Sequence, residues 1–67
     1  MKIMYSKHAR AQMIARGLSE NEVEEGIRCG AKSIQFPNKI LSVYRYYCVV
    51  YKKIKDIIYV ITVKPRW

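Results

Sequence analysis

The chain has 67 residues, too few for a second hydrophobic core, so one domain is expected. Thirteen Lys and Arg against five Asp and Glu give a net charge of +8, and the 51% of apolar residues exclude a disordered polycation. The longest apolar tract, Ile57 to Val63, falls far short of the ~20 residues a helix needs to cross a bilayer. With no secretory signal legible at the start, a soluble cytoplasmic protein without a membrane partner is expected.

The first helix is predicted from Ser6, whose hydroxyl can cap it, to Arg16, with Gly17 free to take the left-handed conformation that ends it. Ala9 and Met13 form an apolar pair one turn apart, and Ala11, Ile14, Ala15 and Leu18 widen the side that packs. Ser19-Glu20-Asn21-Glu22 reads as a capping box, with Leu18 and Val23 as the hydrophobic staple around it. It opens a second helix from Glu20 to about Cys29, with Val23 and Ile27 as its stripe and Gly30 as its stop. The glutamates of that helix stand in its first half, where they complement the positive end of the dipole.

After Gly30 the composition turns to β-branched and aromatic residues. A short strand is predicted from Ser33 to Phe36, stopped by Pro37-Asn38. Longer strands follow from Leu41 or Val43 to Lys52 and from Ile57 to Lys64, joined by the loop Lys53-Ile54-Lys55-Asp56. The resulting architecture is α+β, two N-terminal helices on an antiparallel sheet of three strands or at most four. Its small core leaves room for stabilisation by a partner or a second copy.

Charge is uneven along the chain. Residues 1–30 hold five cations against four carboxylates, whereas residues 31–67 hold eight against one. An anionic partner is therefore expected at whatever surface the second half builds.

Sequence motifs for nucleotide, hydrolase or zinc-protease chemistry are absent, and no cofactor is expected. Cys29 and Cys48, with His8 far from both, lack metal-ligand spacing and are read as two reduced, buried thiols. His8 is the single histidine; with Gln12 and Arg16 it makes a polar line on the first helix. It can pack or cap the helix end, or serve as acid, base or phosphate contact. Arg16 can close the helix carbonyls or bind a phosphate with its guanidinium fork.

Five of the six tyrosines fall on the predicted strands, beside Arg45, Lys52 and Lys53. Unbroken alternation sets Val43, Arg45, Tyr47, Val49 and Tyr51 on one face. Rings that stack on bases and cations that neutralise phosphates are what a nucleic-acid surface requires, so this row is the candidate functional face, with ordinary sheet packing of the rings as the alternative. Lys52, Lys53 and Lys55 form a cluster that can straddle a phosphate backbone, and the tail Lys64-Pro65-Arg66-Trp67 reads as frayed or as a lid over an edge.

The run Ser6-Lys7-His8-Ala9-Arg10-Ala11-Gln12-Met13-Ile14-Ala15-Arg16-Gly17-Leu18-Ser19, together with Tyr59-Val60-Ile61-Thr62-Val63, resembles a family of small prokaryotic and archaeal domains of unknown function. That family's start reads Ser-x-His-Ala-x-x-Arg-Met-x-x-Arg-Gly-[Ile/Leu]-Ser, so Gln12 stands where an arginine is usual. It looks distantly related to the RelE and BrnT type of toxin, in which helices pack on a small antiparallel sheet and some members cut RNA without metal.

The resemblance implies a toxin-like protein that binds or cleaves RNA. On this reading His8, Arg16, Arg45 and Tyr47 are the catalytic candidates, and Arg10, Tyr51, Lys52, Lys53 and Lys55 contact the nucleic acid. The alternative is a protein-interaction module, as a homodimer or bound to an acidic antitoxin-like partner.

Overall fold

The structure is a computed structural model and describes residues 2–66. Strand β1 (Lys2–Tyr5) is followed by helices α1 (Lys7–Arg16) and α2 (Glu20–Cys29), then by β2 (Ala31–Gln35), β3 (Lys39–Tyr44), β4 (Tyr47–Ile54) and β5 (Ile57–Pro65).

Both helices begin and end where their capping residues dictate. The Ser6 hydroxyl accepts from the Ala9 amide at 3.0 Å. Gly17, at φ 68°, turns the chain so that its own N–H reaches the Ile14 carbonyl and that of Leu18 reaches Met13. Ser19 and Glu22 complete both halves of the capping box, at 3.1 and 2.9 Å. Gly30 ends α2 for a different reason from Gly17. Its φ is −72°, but a Cβ there would stand 2.3 Å from the Ser42 hydroxyl and 2.9 Å from the Val43 carbonyl, so glycine is required by the close approach of β3.

The strands form one five-stranded mixed sheet in the order β1-β5-β4-β3-β2. This corrects the expected antiparallel sheet of three or four strands. Residues Lys2 to Tyr5 pair in parallel with Ile57 to Val60, and the other three pairings are antiparallel. A second correction concerns the long strand expected from Leu41 or Val43 to Lys52. Arg45 and Tyr46 break it as a two-residue hairpin loop, with Tyr44 paired to Tyr47 and Arg45 left-handed at φ 51°.

Turning the chain at Arg45 brings Tyr44 onto the face of Tyr47, Val49 and Tyr51, moves Val43 to the face of Cys48 and Val50, and takes Arg45 and Tyr46 out of both rows. Tyr44, Tyr47, Val49 and Tyr51 point to the helices, together with Ile40 and Ser42 of β3 and Ile58, Val60 and Val63 of β5. With Ala9, Met13, Leu18, Val23 and Ile27 these residues build a single core on one face of the sheet. Each fully buried aliphatic side chain contributes about 1.5–3 kcal/mol. The other face, bearing Leu41, Val43, Cys48, Val50 and Tyr59, has no helix against it among the described residues.

Helix α1 also seals an edge. Beyond Tyr5 the strand β1 stops, which would leave the outer side of β5 with unpaired backbone groups. There the Ser6 N–H and hydroxyl donate to the carbonyls of Val60 and Ile61, both at 2.9 Å, and Gln12 Oε1 accepts from the Val63 N–H at 2.8 Å. Ile61 is the extra residue of a bulge, since Val50 pairs with Thr62 while Tyr51 pairs with Val60. An arginine in place of Gln12 has donors only and could not accept this amide.

Candidate nucleic-acid interface

At the close of α1, beside the β3–β4 hairpin, a cleft of about 290 Å³ is lined by Arg16, Tyr46, Tyr47 and Pro65. Its floor is Tyr47, 2% exposed, whose hydroxyl donates to the Glu22 carbonyl at 2.6 Å. Edge-on contacts with Tyr44 and Tyr46, at centroid distances of 6.0 and 5.3 Å, fix the ring further. Burial foremost, then the nearby Glu22 and Glu25, push the Tyr47 phenol up to about 12. The phenol proton is thus committed to a backbone carbonyl while the ring lines the cleft.

The rim is different in character. Tyr46 stands 51% exposed in the hairpin loop. Arg45 extends into solvent with its guanidinium 5.3 Å above the Tyr44 ring. Arg66 is tied to the same hairpin: its N–H donates to the Tyr46 carbonyl at 3.1 Å, and its guanidinium to the Arg45 carbonyl at 3.0 Å. The tail, expected either to fray or to cover an edge, is held to this hairpin through Arg66, while Trp67 lies outside the described residues.

Residues 5–64 match the family described as Domain of unknown function (DUF4258). The chain belongs to this family. No curated protein and no solved structure matches it significantly. The family description assigns no activity, so the function of this DUF4258 domain has to be argued from its own side chains.

The structure disperses the expected catalytic set. Arg16, Arg45 and Tyr47 gather at one end of the sheet, but His8 lies two turns earlier in α1, roughly 12 Å from Arg16 along the axis. It is exposed at the start of the helix.

Of the expected nucleic-acid contacts, Arg10 is engaged elsewhere: its guanidinium stands 2.7 Å from Glu20 and 4.5 Å above the Tyr5 ring. Tyr51 is only 5% exposed and faces the helices, so the row expected to be functional lies largely in the core. Lys52 and Lys53 lie at the far end of β4 and Lys55 in the turn after it, roughly 17–26 Å along the strand from the Tyr47 end beside Arg45. Cys29, expected to be buried, is exposed, and Cys48 is buried as expected; both are free.

Tyr46 and Arg66 stand beside the cleft and were not among the expected site residues. The signal for Tyr46 was its neighbour Arg45: two polar-tipped residues between the paired Tyr44 and Tyr47 can form a loop, but they lack the Asn-Gly or Asp-Gly that advertises one.

Charge separates by layer. The four cations of the two helices are matched by the four glutamates of α2, whereas the strands and their connections carry nine Lys and Arg against Asp56 alone. The whole surplus of +8 therefore belongs to the sheet. A second cleft, of about 270 Å³ over α2, is lined by Asn21, Glu22, Glu24, Glu25 and Arg28 and has the opposite sign. Among the described residues no three His, Cys, Asp or Glu side chains converge to hold a metal, and no helix is long and apolar enough to cross a membrane.

Proposed function

We propose that this DUF4258 domain binds single-stranded RNA without cleaving it, at the end of the sheet where Arg16, Arg45, Tyr46 and Arg66 surround the cleft. The observation that carries this reading is the separation of charge, which leaves the surplus cations of the sheet unopposed while the carboxylates occupy α2. Arginines supply phosphate contacts, the exposed Tyr46 ring supplies a stacking surface, and the cleft has room for one base. The cytoplasm is the compartment where such a ligand is met.

Binding is favoured over cleavage by the position of His8. Metal-free scission needs a base, an acid and a cation around one phosphodiester. His8 and Arg16 are too far apart to share one, and Tyr47 is walled in.

Fluorescence anisotropy with a labelled single-stranded RNA, in EDTA, tests the reading. Arg16→Ala, Arg66→Ala and Tyr46→Ala should each weaken binding by about 1–3 kcal/mol, and Lys7→Ala, at the end of α1 remote from the cleft, should not. Each lost arginine should also lower the salt slope by roughly 0.7. RNA should stay intact with wild type and with His8→Ala. Equal losses at Lys7 and Arg16 would reduce the interaction to general polycation binding and sink the assignment.

The uncovered face of the sheet favours a second reading, an acidic protein partner. Leu41 and Val43 are half-buried apolar side chains there over the buried Val50, and Lys2, Lys39, Lys52 and Lys64 share that face by register without a carboxylate on any strand. An acidic amphipathic peptide should then bind wild type, lose affinity for Lys39→Glu and Lys52→Glu, and keep it for Arg16→Ala.

A further inference from the structure

The two outer strands of the sheet are treated differently. On the β1 side, Ser6 and Gln12 occupy the backbone groups of β5 beyond Tyr5, and Pro65 presents no N–H at all. On the other side, β2 ends the sheet with nothing beyond it among the described residues, and Ala31 to Ile34 are all exposed. It has no proline, no bulge and a single charge, so the usual protections of an outer strand are missing. Helix α2 packs on β3 and β4 and does not extend over β2. Ile34 and Phe36 are consequently 82% and 92% exposed, the highest values among the large apolar side chains described.

From this we infer that β2 is the pairing edge of a homodimer, in which the β2 strands of two copies join antiparallel into one continuous ten-stranded sheet. A two-fold axis at Ile34 sets it against Ile34 of the other copy and lays Phe36 beside the aliphatic stem of Lys32. The strand suits a copy of itself because its other positions are uncharged and this register sets its one cation opposite an aromatic ring, not opposite another cation. Lys32 Nζ also donates to the Gly30 carbonyl at 2.9 Å and to the Arg28 carbonyl at 3.4 Å, which turns it back toward its own chain. What opposes association is the +8 carried by each copy. That repulsion is screened beyond about 10 Å at 0.1 M salt. Dimerisation should therefore strengthen as salt is added, the reverse of phosphate binding, which separates this inference from the RNA reading.

Sedimentation velocity on the full chain, from micromolar to about 1 mM and at low and high salt, tests the pairing. A reversible dimer is expected, its population rising with both variables. Ile34→Lys and Phe36→Lys, at positions too exposed to affect the fold, should weaken it by roughly tenfold or more while leaving the circular dichroism melt unchanged. In a Cys29→Ser background, Ile34→Cys should form an intermolecular disulfide under mild oxidation, since directly paired residues bring their Cα atoms to about 4.5–5.5 Å. A wild-type chain that stays monomeric at about 1 mM in high salt would overturn the inference, as would a dimer that survives both lysine substitutions.

Discussion

Gly26→Ala probes the contact between α2 and the sheet, and its sign distinguishes helix preference from packing. In an exposed helix the change stabilises by about 1 kcal/mol, because alanine is the better helix former. Here the new methyl would stand 2.9 Å from Tyr47 Cε2 and 3.4 Å from its hydroxyl oxygen. Carbon atoms in contact settle at about 3.5–4.0 Å, so ring and helix must separate by roughly half an ångström or more.

The ring has little freedom to comply. It is held by its bond to the Glu22 carbonyl and by edge contacts with Tyr44 and Tyr46. Overpacking of this kind costs about 1–3 kcal/mol. Set against the helix gain, the expected outcome is a net loss of up to about 2 kcal/mol, read as a fall in Tm of roughly 4–8 °C per kcal/mol for a domain of this size. Thermal unfolding followed by circular dichroism measures it. Repeating the substitution in a Tyr47→Leu background should remove the penalty and reveal the helix gain. Stabilisation of the otherwise native chain by Gly26→Ala would refute the packing argument.

Three further outcomes follow from other contacts. Burial raises the phenols of Tyr5, Tyr47 and Tyr51 above the ordinary 10.0, that of Tyr47 to about 12. The unfolded chain then releases protons that the folded chain retains, so stability is complete below about pH 10 and declines as pH rises toward 12. Urea midpoints measured across that window should fall, and less steeply for Tyr47→Phe. Gln12→Leu and Gln12→Arg both strand the Val63 N–H and should cost about 1–3 kcal/mol, with faster exchange of that amide, while Gln12→Glu keeps the acceptor and most of the stability. Lys55 holds φ 53° in the second hairpin, so Lys55→Gly should stabilise by about 1 kcal/mol in the same urea assay.

Both helices were legible because their determinants are local. Ser6, Gly17 and the Ser19 to Glu22 box act within one turn of the chain and set three of the four boundaries; the fourth, at Gly30, also answers to the close approach of β3. The sheet was legible only in part. Nothing in Lys2 to Tyr5 announces a strand, since its partner lies more than fifty residues away and four residues show too little alternation to read. The break at Arg45 was hidden because an arginine in a left-handed loop looks like any strand residue inside an aromatic run. Counting Arg45 in one row with Tyr47, Val49 and Tyr51 gave a core row the look of a charged surface. It also concealed Tyr46, whose exposure depends on the loop. Cleft and tail could not be paired from sequence, because Arg66 reaches Arg45 only after β3, β4 and β5 have assembled.

Confining the uncompensated charge to one layer gives the molecule a permanent dipole, with α2 as its negative end. Near any polyanion it will be turned sheet-first by torque before the surfaces touch, so a larger share of collisions arrive in usable orientation. Added electrolyte should therefore slow capture more than it hastens release, a kinetic asymmetry that the same charges scattered evenly over the surface would lack.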